Sequence, residues 1–315
     1  MKTEYELSYK DINLIPRKCI VDSREECDTS IFLGKKKFVM PIFPANMKSV
    51  VSESTCIYLA KKGWFYTMHR FGVDPIDFTE RMHKQGLFSS ISIGINEDSQ
   101  RDLSIMVKNA EPEYITIDVA NAWADRVKEK IAWIKTNLPN TFLIVGNVAS
   151  AEAVEDLQSW GADCCKVGIS GGKVCITRQK TGFFRPMIST LIDCVKVAKI
   201  PIIADGGVDY HGDISKSLVL GATMVMAGFL FAGYEEASGE VIEIEGKEYK
   251  QYFGSASKYN KSELKNIEGK KILIPYRGSM DKLLKELKED LQSAISYAGG
   301  KDISAFKNVK YSILK

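Results

Sequence analysis

The sequence predicts an α/β protein, a (β/α)8 barrel of the TIM type with long active-site loops after its sixth and eighth strands. Three observations carry that prediction. Eight short runs rich in apolar and β-branched residues recur along the chain, they are continuous rather than strictly alternating, and helical stretches separate them. A continuous apolar run is the mark of a strand covered on both faces. Alternation with helices implies parallel order, because parallel neighbours need a crossover connection.

The strands are read at 38–44 (FVMPIFP), 64–68 (WFYTM), 89–95 (SSISIGI), 114–120 (YITIDVA), 142–148 (FLIVGNV), 164–169 (CCKVGI), 201–207 (PIIADGG) and 223–229 (TMVMAGF). Helices are read from their caps. Residues 52–63 open on Ser52 and close on Gly63, residues 149–162 open on Ser150 and stop at Gly161, and residues 212–222 end at Gly221. Serine accepts the unpaired N–H groups of a first turn, and glycine adopts the left-handed conformation that ends a last one. Residues 281–299 form a further amphipathic helix, and 300–315 a short tail. Eight strand–helix units that close on themselves place ligand chemistry at the C-terminal ends of the strands.

Two stretches exceed what a turn requires. Residues 170–187 (SGGKVCITRQKTGFFRPM) follow the sixth strand and carry a cysteine. Residues 233–280 follow the eighth and contain a hairpin at 240–252 with a Glu-Gly turn. Long loops in a compact domain are usually functional. No linker divides the chain, so 1–315 reads as one barrel domain.

Composition narrows the function. With 43 Lys+Arg against 40 Asp+Glu the formal charge is +3, too small an excess for a broad basic face, and nucleic acid is not an expected partner. Seven cysteines, without a Cys-x-x-Cys pair, and three scattered histidines point to a reducing compartment and away from a zinc site. The N-terminus is charged where a signal peptide is apolar, and no apolar run reaches membrane-spanning length, so the expectation is a soluble cytoplasmic protein without a membrane partner.

Cys175 lies just beyond a strand end, with Gly171 and Gly172 upstream to bring backbone close to a ligand. Its thiolate is a candidate nucleophile if a neighbouring cation such as Lys173 or Arg178 activates it; the alternative is a small buried hydrophobe, like Cys164, Cys165 and Cys194. The turns ADGGV (204–208) and MAGFLFAG (226–233) suit a phosphate held by backbone N–H groups, with Asp205 as acceptor for sugar hydroxyls, or are simply tight turns. Asp118 and Asn121, at the fourth strand end, suit a second ligand or a helix cap, while Trp123 reads as packing. His69 and Arg70 either meet an anion or sit solvated. Glu268 joins the site only if the segment after the eighth strand folds back.

Together VGISGGKVCITRQKTG, ADGGV, MVMAGFLFAG, GSASKY, IEGKK and DLQSAISYAGG, with DINLIP and PANM near the start, resemble the IMP dehydrogenase/GMP reductase family over essentially the whole chain. The resemblance implies a barrel that holds a purine nucleotide by its phosphate and bonds Cys175 to purine C2. It makes Thr177 and Glu268 the pair that assists departure of ammonia, Asp205 the ribose-binding acid, and Gly206, Gly207 and Gly228 the phosphate cradle. Ser255 and Ala256 fall where the base is held, and Asp118 with Asn121 near the nicotinamide ribose. It further implies NADPH as cofactor, a homotetramer, and a monovalent cation at the Cys loop as a further candidate ligand.

Three features place the chain on the reductive side of the family. Residues 69–88 leave no room for an inserted regulatory module, Lys180-Thr181-Gly182 follows the Cys loop, and 254–268 lacks the Arg-Tyr pair that activates water in the dehydrogenases. The implied reaction is reductive deamination of GMP to IMP and ammonia through a cysteine thioimidate. The alternatives are IMP oxidation by a barrel lacking the regulatory module, and nucleotide binding without turnover. Ser170-Gly171-Gly172, Phe183-Phe184-Arg185 and Ala122-Trp123 depart from the family pattern, and the last two put bulk at the expected cofactor face.

Overall fold

The computed structural model describes residues 6–260 and 267–314. Seven parallel strands form one curled sheet in the order Ile42–Pro44, Met224–Ala227, Ile202–Asp205, Cys164–Val167, Phe142–Val148, Tyr114–Asp118 and Ser90–Ile93. From Ser90–Ile93 onward each strand lies beside its successor in the chain, and the last of them, Met224–Ala227, pairs with the first, Ile42–Pro44, in the manner of a (β/α)8 barrel.

The eighth position belongs to residues 64–68, which the sequence reads as a strand. The segment runs between the two sheet edges without a regular ladder: Met68 makes one parallel bridge to Ile91, and the Phe65 ring packs 4.8 Å from that of Phe43. A physical reason lies next to it. The neighbouring three-residue strand ends on Pro44, and proline offers no N–H to a ladder.

The barrel interior holds Phe43, Phe65, Tyr114, Ile144, Cys164, Ile203, Met224 and Met226, while Cys165 and Cys194 pack in the layer between sheet and helices. Adjacent cysteines therefore face opposite sides of one strand, as period-two geometry demands. An N-terminal hairpin, Ile31–Leu33 with Lys36–Phe38, stops the end of the barrel remote from the strand C-termini. Phe38 meets Phe65 edge to face at 5.1 Å, and the buried Tyr114 hydroxyl donates to the Leu33 carbonyl at 2.7 Å, which satisfies its one polar atom.

The helices fall where the caps predicted. Glu53–Lys61 begins after Ser52, whose hydroxyl accepts from Thr55 N, Ala151–Trp160 ends on Gly161 at φ +109°, and His211–Val219 and Met280–Tyr297 follow the later readings. The hairpin after the last barrel strand is Val241–Ile244 with Lys247–Phe253, and Glu245 and Gly246 turn it with positive φ. Elements with no clear signal in the sequence include the hairpin of Ile31–Leu33 with Lys36–Phe38, which takes Phe38 out of the strand read at 38–44; a third strand on the later hairpin, Lys271–Pro275; the short helix Thr177–Thr181; and the antiparallel pairing of Ile12–Leu14 with Tyr311–Ile313. Residues 261–266, within the long segment that the sequence places after the eighth strand, lie outside the described residues. Among the described residues no helix is long and apolar enough to cross a membrane.

Candidate active site at the barrel mouth

The Cys loop is built by backbone pairing to a distant segment. Lys270 N donates to Val174 O at 2.9 Å, Ile176 N donates to Glu268 O at 2.8 Å, and Cys175 bridges Gly269. Residues 268–270 are thereby zipped onto 174–176. Two glycines permit the approach: a Cβ on Gly254 would stand 3.1 Å from the Gly269 α-carbon. The segment after the last barrel strand does fold back, and it carries Glu268 to the loop.

The side chains then form a chain of contacts. Thr177 Oγ1 donates to Glu268 Oε2 at 2.5 Å and lies 3.2 Å from Cys175 Sγ. Neither cation that the sequence offered as partner to the thiol turns toward it. Lys173 pairs with Asp209 at 3.1 Å and sits 3.7 Å over the Phe229 ring, and Arg178 stacks on Phe184 at 4.6 Å. The carbonyls of Gly172, Val174 and Ile176 each accept a backbone N–H.

Lys166 is the residue that the sequence reading missed. It points from the strand Cys164–Val167 into the mouth, where Nζ donates to Asp205 Oδ2 at 2.6 Å, to Asp118 Oδ1 at 3.2 Å and to Asn147 Oδ1. Burial alone would lower its pKa, but Asp205 and Asp118 outweigh burial and hold it above the ordinary lysine value. The signal was present: a lysine inside an otherwise apolar, doubly covered strand has to be paired.

The glycine turns bring backbone to the same mouth. A Cβ on Gly168 would fall 2.3 Å from Asp205 O, and one on Gly228 would fall 2.5 Å from Tyr252 Oη. Gly206 lies against Gly171 and Gly172, where an added Cβ would sit 3.4 Å from their backbone atoms.

One cavity of about 330 Å³ unites most of these groups. Asp118, Cys175, Thr177, Asp205, Gly206, Gly228, Ser255, Ala256 and Glu268 all line it, as do Lys166 and Arg70. Gly207 and Asn121 do not. The α-carbon of Gly207 faces Tyr9, and Asn121 Oδ1 accepts from Trp123 N at 3.1 Å in a local turn; the helix Asp125–Asn137 that follows starts after Ala124 without a side-chain cap. Trp123 donates to Asp156, Arg185 is held by Asp193 and Glu6, and Phe183 is exposed, so the bulk expected at the cofactor face lies outside the cavity lining. His69 is buried behind Arg70, its Nδ1 accepting from Phe71 N, and burial pushes its pKa down to about 4.

Fold and cavity together define a (β/α)8 barrel with a thiol, a hydroxyl and a carboxylate in series at its C-terminal mouth. Residues 6–314 match the family model of the IMP dehydrogenase / GMP reductase domain, and the chain belongs to that family. It is 58% identical over 306 residues to a protein named GMP reductase from Chromobacterium violaceum, a match that covers 97% of each chain. Proteins of the same name from Acidovorax sp. strain JS42 and Streptococcus pyogenes serotype M49 are 52% and 51% identical, covering 97% and 98% of this chain and 95% and 94% of theirs.

Proposed function

We propose that the protein catalyses the NADPH-dependent reductive deamination of GMP to IMP and ammonia, a reading supported by the name GMP reductase that its relatives carry. The observation that carries the reading is the Cys175–Thr177–Glu268 series inside a cavity that also presents glycine turns and a carboxylate floor.

The chemistry follows from the residue types. The Cys175 thiolate attacks C2, a C–S bond forms, and the C2–N bond to the exocyclic amine breaks. Amide ion is a poor leaving group, so the nitrogen needs a proton as it departs. Glu268, protonated, can supply it by way of the Thr177 hydroxyl, which passes one proton on as it receives another. The product of this half is a thioimidate on Cys175. When the sulfur later leaves, the thiolate is regenerated and Glu268 is reprotonated from solvent.

NADPH, when bound, supplies the hydride that takes the place of sulfur at C2. The residues present fit such a cofactor. Asp118 is an acceptor for ribose hydroxyls on the same cavity wall as Cys175, Lys166 holds that carboxylate in place, and Trp123, Phe183 and Phe184 leave the cavity clear. In the substrate half, Asp205 accepts from the ribose of GMP and the backbone around Gly228 takes the phosphate, while the Gly206 N–H is already donated to Met226 O at 3.1 Å.

Purified protein with GMP and NADPH should lose the absorbance of the reduced nicotinamide and release one ammonia per NADPH. Cys175→Ser should abolish both; residual turnover in that variant would rule out the thioimidate. The reading includes a homotetramer, which sedimentation tests against a 35.2 kDa chain mass.

A further inference from the structure

Ser170 stands at φ +64°, in the left-handed region that side chains other than glycine rarely enter. Its hydroxyl is fully engaged with the Cys loop. Oγ accepts from Arg178 N at 2.9 Å and lies 3.6 Å from Cys175 Sγ, and the residue lines the cavity. Arg178 N takes one lone pair of that oxygen and the Cys175 thiol, while protonated, donates to the other; once the sulfur is a thiolate, the Ser170 hydroxyl hydrogen turns to it.

Thr177 is the other hydroxyl on Sγ, but it has one hydrogen and two neighbours. With Glu268 ionised that hydrogen goes to the carboxylate 2.5 Å away, and with Glu268 protonated it is committed to the departing amine, so in neither state does it serve the sulfur. The thiolate then has Ser170 as its hydroxyl donor. We propose that Ser170 is a further catalytic residue, whose O–H donates to the Cys175 sulfur and stabilises the thiolate before it attacks C2 and again as it is expelled. The proposal rests on the reading of Cys175 as nucleophile. It divides the labour between two hydroxyls: Ser170 serves the sulfur, and Thr177 serves the proton path.

Two variants test it. Ser170→Ala removes the hydroxyl and keeps the left-handed turn, whereas Ser170→Gly removes the hydroxyl and relaxes the turn, which protects the experiment against misfolding. Alkylation of Cys175 by iodoacetamide, followed by peptide mass spectrometry to separate it from the other cysteines, needs no substrate. Near neutral pH both variants should react about three- to tenfold more slowly than the wild type, because less of the thiol is ionised, and all three rates should converge in alkali. Turnover with GMP should fall by a similar factor. A wild-type alkylation rate in both variants overturns the proposal. A slow alanine variant beside a normal glycine variant also overturns it, since backbone geometry would then be the cause; so does the reverse pattern. A clear alkylation difference in a protein that does not turn over GMP would instead condemn the proposed reaction and leave the Ser170–Cys175 contact standing.

Discussion

Replacing Lys166 with methionine should destabilise the fold by about 3–5 kcal/mol, the usual cost of leaving a buried ion pair half-deleted. The lysine side chain is 2% exposed, and Nζ stands 2.6 Å from Asp205 and 3.2 Å from Asp118. At an effective dielectric constant of about 20, those separations correspond to gross attractions of roughly 6 and 5 kcal/mol. They offset a desolvation cost of several kcal/mol per ion, so the intact cluster contributes little net stability. Methionine preserves the volume and removes the charge, and two carboxylates remain at the mouth with no cation between them. That remainder sets the loss. At about 2–3 °C per kcal/mol for a chain of this length, the melting temperature should fall by about 6–15 °C, read by circular dichroism. The sign of the pH dependence follows from the raised pKa: the lysine contribution is complete below the unfolded-state value of about 10.4 and is lost only as pH rises through the folded value, so the deficit should be constant from pH 6 to 9. Adding Asp205→Asn to the methionine variant should restore more than half of the lost stability, since it removes one stranded charge. A single variant that melts within about 2 °C of wild type, or a double variant no better than the single, would refute the counter-ion role.

Glu268→Gln should lower kcat by about 10²- to 10⁴-fold, the usual range for loss of a general acid, while GMP binding measured by calorimetry persists; a loss under tenfold in the NADPH assay would remove Glu268 from the proton path. His69 makes a prediction about stability. Burial holds its folded pKa near 4 against about 6.5 unfolded, so the unfolded chain takes up the extra proton between those values and stability falls as pH drops through that window. The penalty at pH 5 relative to pH 8 is roughly 2 kcal/mol, and a His69→Phe variant should show a correspondingly flatter melting-temperature profile over that interval. Parallel profiles would show that His69 is accessible to protons in the folded state.

The barrel was legible because its strands are buried on both faces and so carry their pattern in every residue. Residues 142–148 and 164–167 could hardly be anything else. The segment 64–68 has the same composition and misled for that reason: composition reports burial, and whether a ladder forms depends on the partner, here a strand that ends on proline. Cys175, Asp118 and Asp205 were legible by position, because a closed barrel brings strand ends to one mouth. Glu268 was not. Thr177 and Glu268 are 91 positions apart, and only the backbone pairing of 268–270 with 174–176 brings them together, so the resemblance rather than the local sequence pointed there. Lys173 and Arg178 were sound candidates by proximity, but a long cation takes whatever ring or carboxylate lies nearest, and Phe229, Asp209 and Phe184 lay nearer.

The division between barrel and loops has a chemical consequence. The floor of the cavity, Lys166 with Asp118, Asn147 and Asp205, belongs to strands and the residues next to them, and its hydrogen bonds lock each carboxylate in one orientation. The groups proposed to react lie instead on two segments, 174–177 and 268–270, held together by backbone hydrogen bonds. Lys166 and Arg70 are outnumbered in the cavity by Asp118, Asp205 and Glu268, so an anionic ligand gains nothing from a general field there. On the proposed function, a nucleotide's phosphate is taken up by backbone of the glycine turns and its hydroxyls are turned to the carboxylates. That constraint fixes the direction of the ligand in the mouth. It also explains how a chain with a formal charge of only +3 can serve a phosphorylated substrate without a basic face.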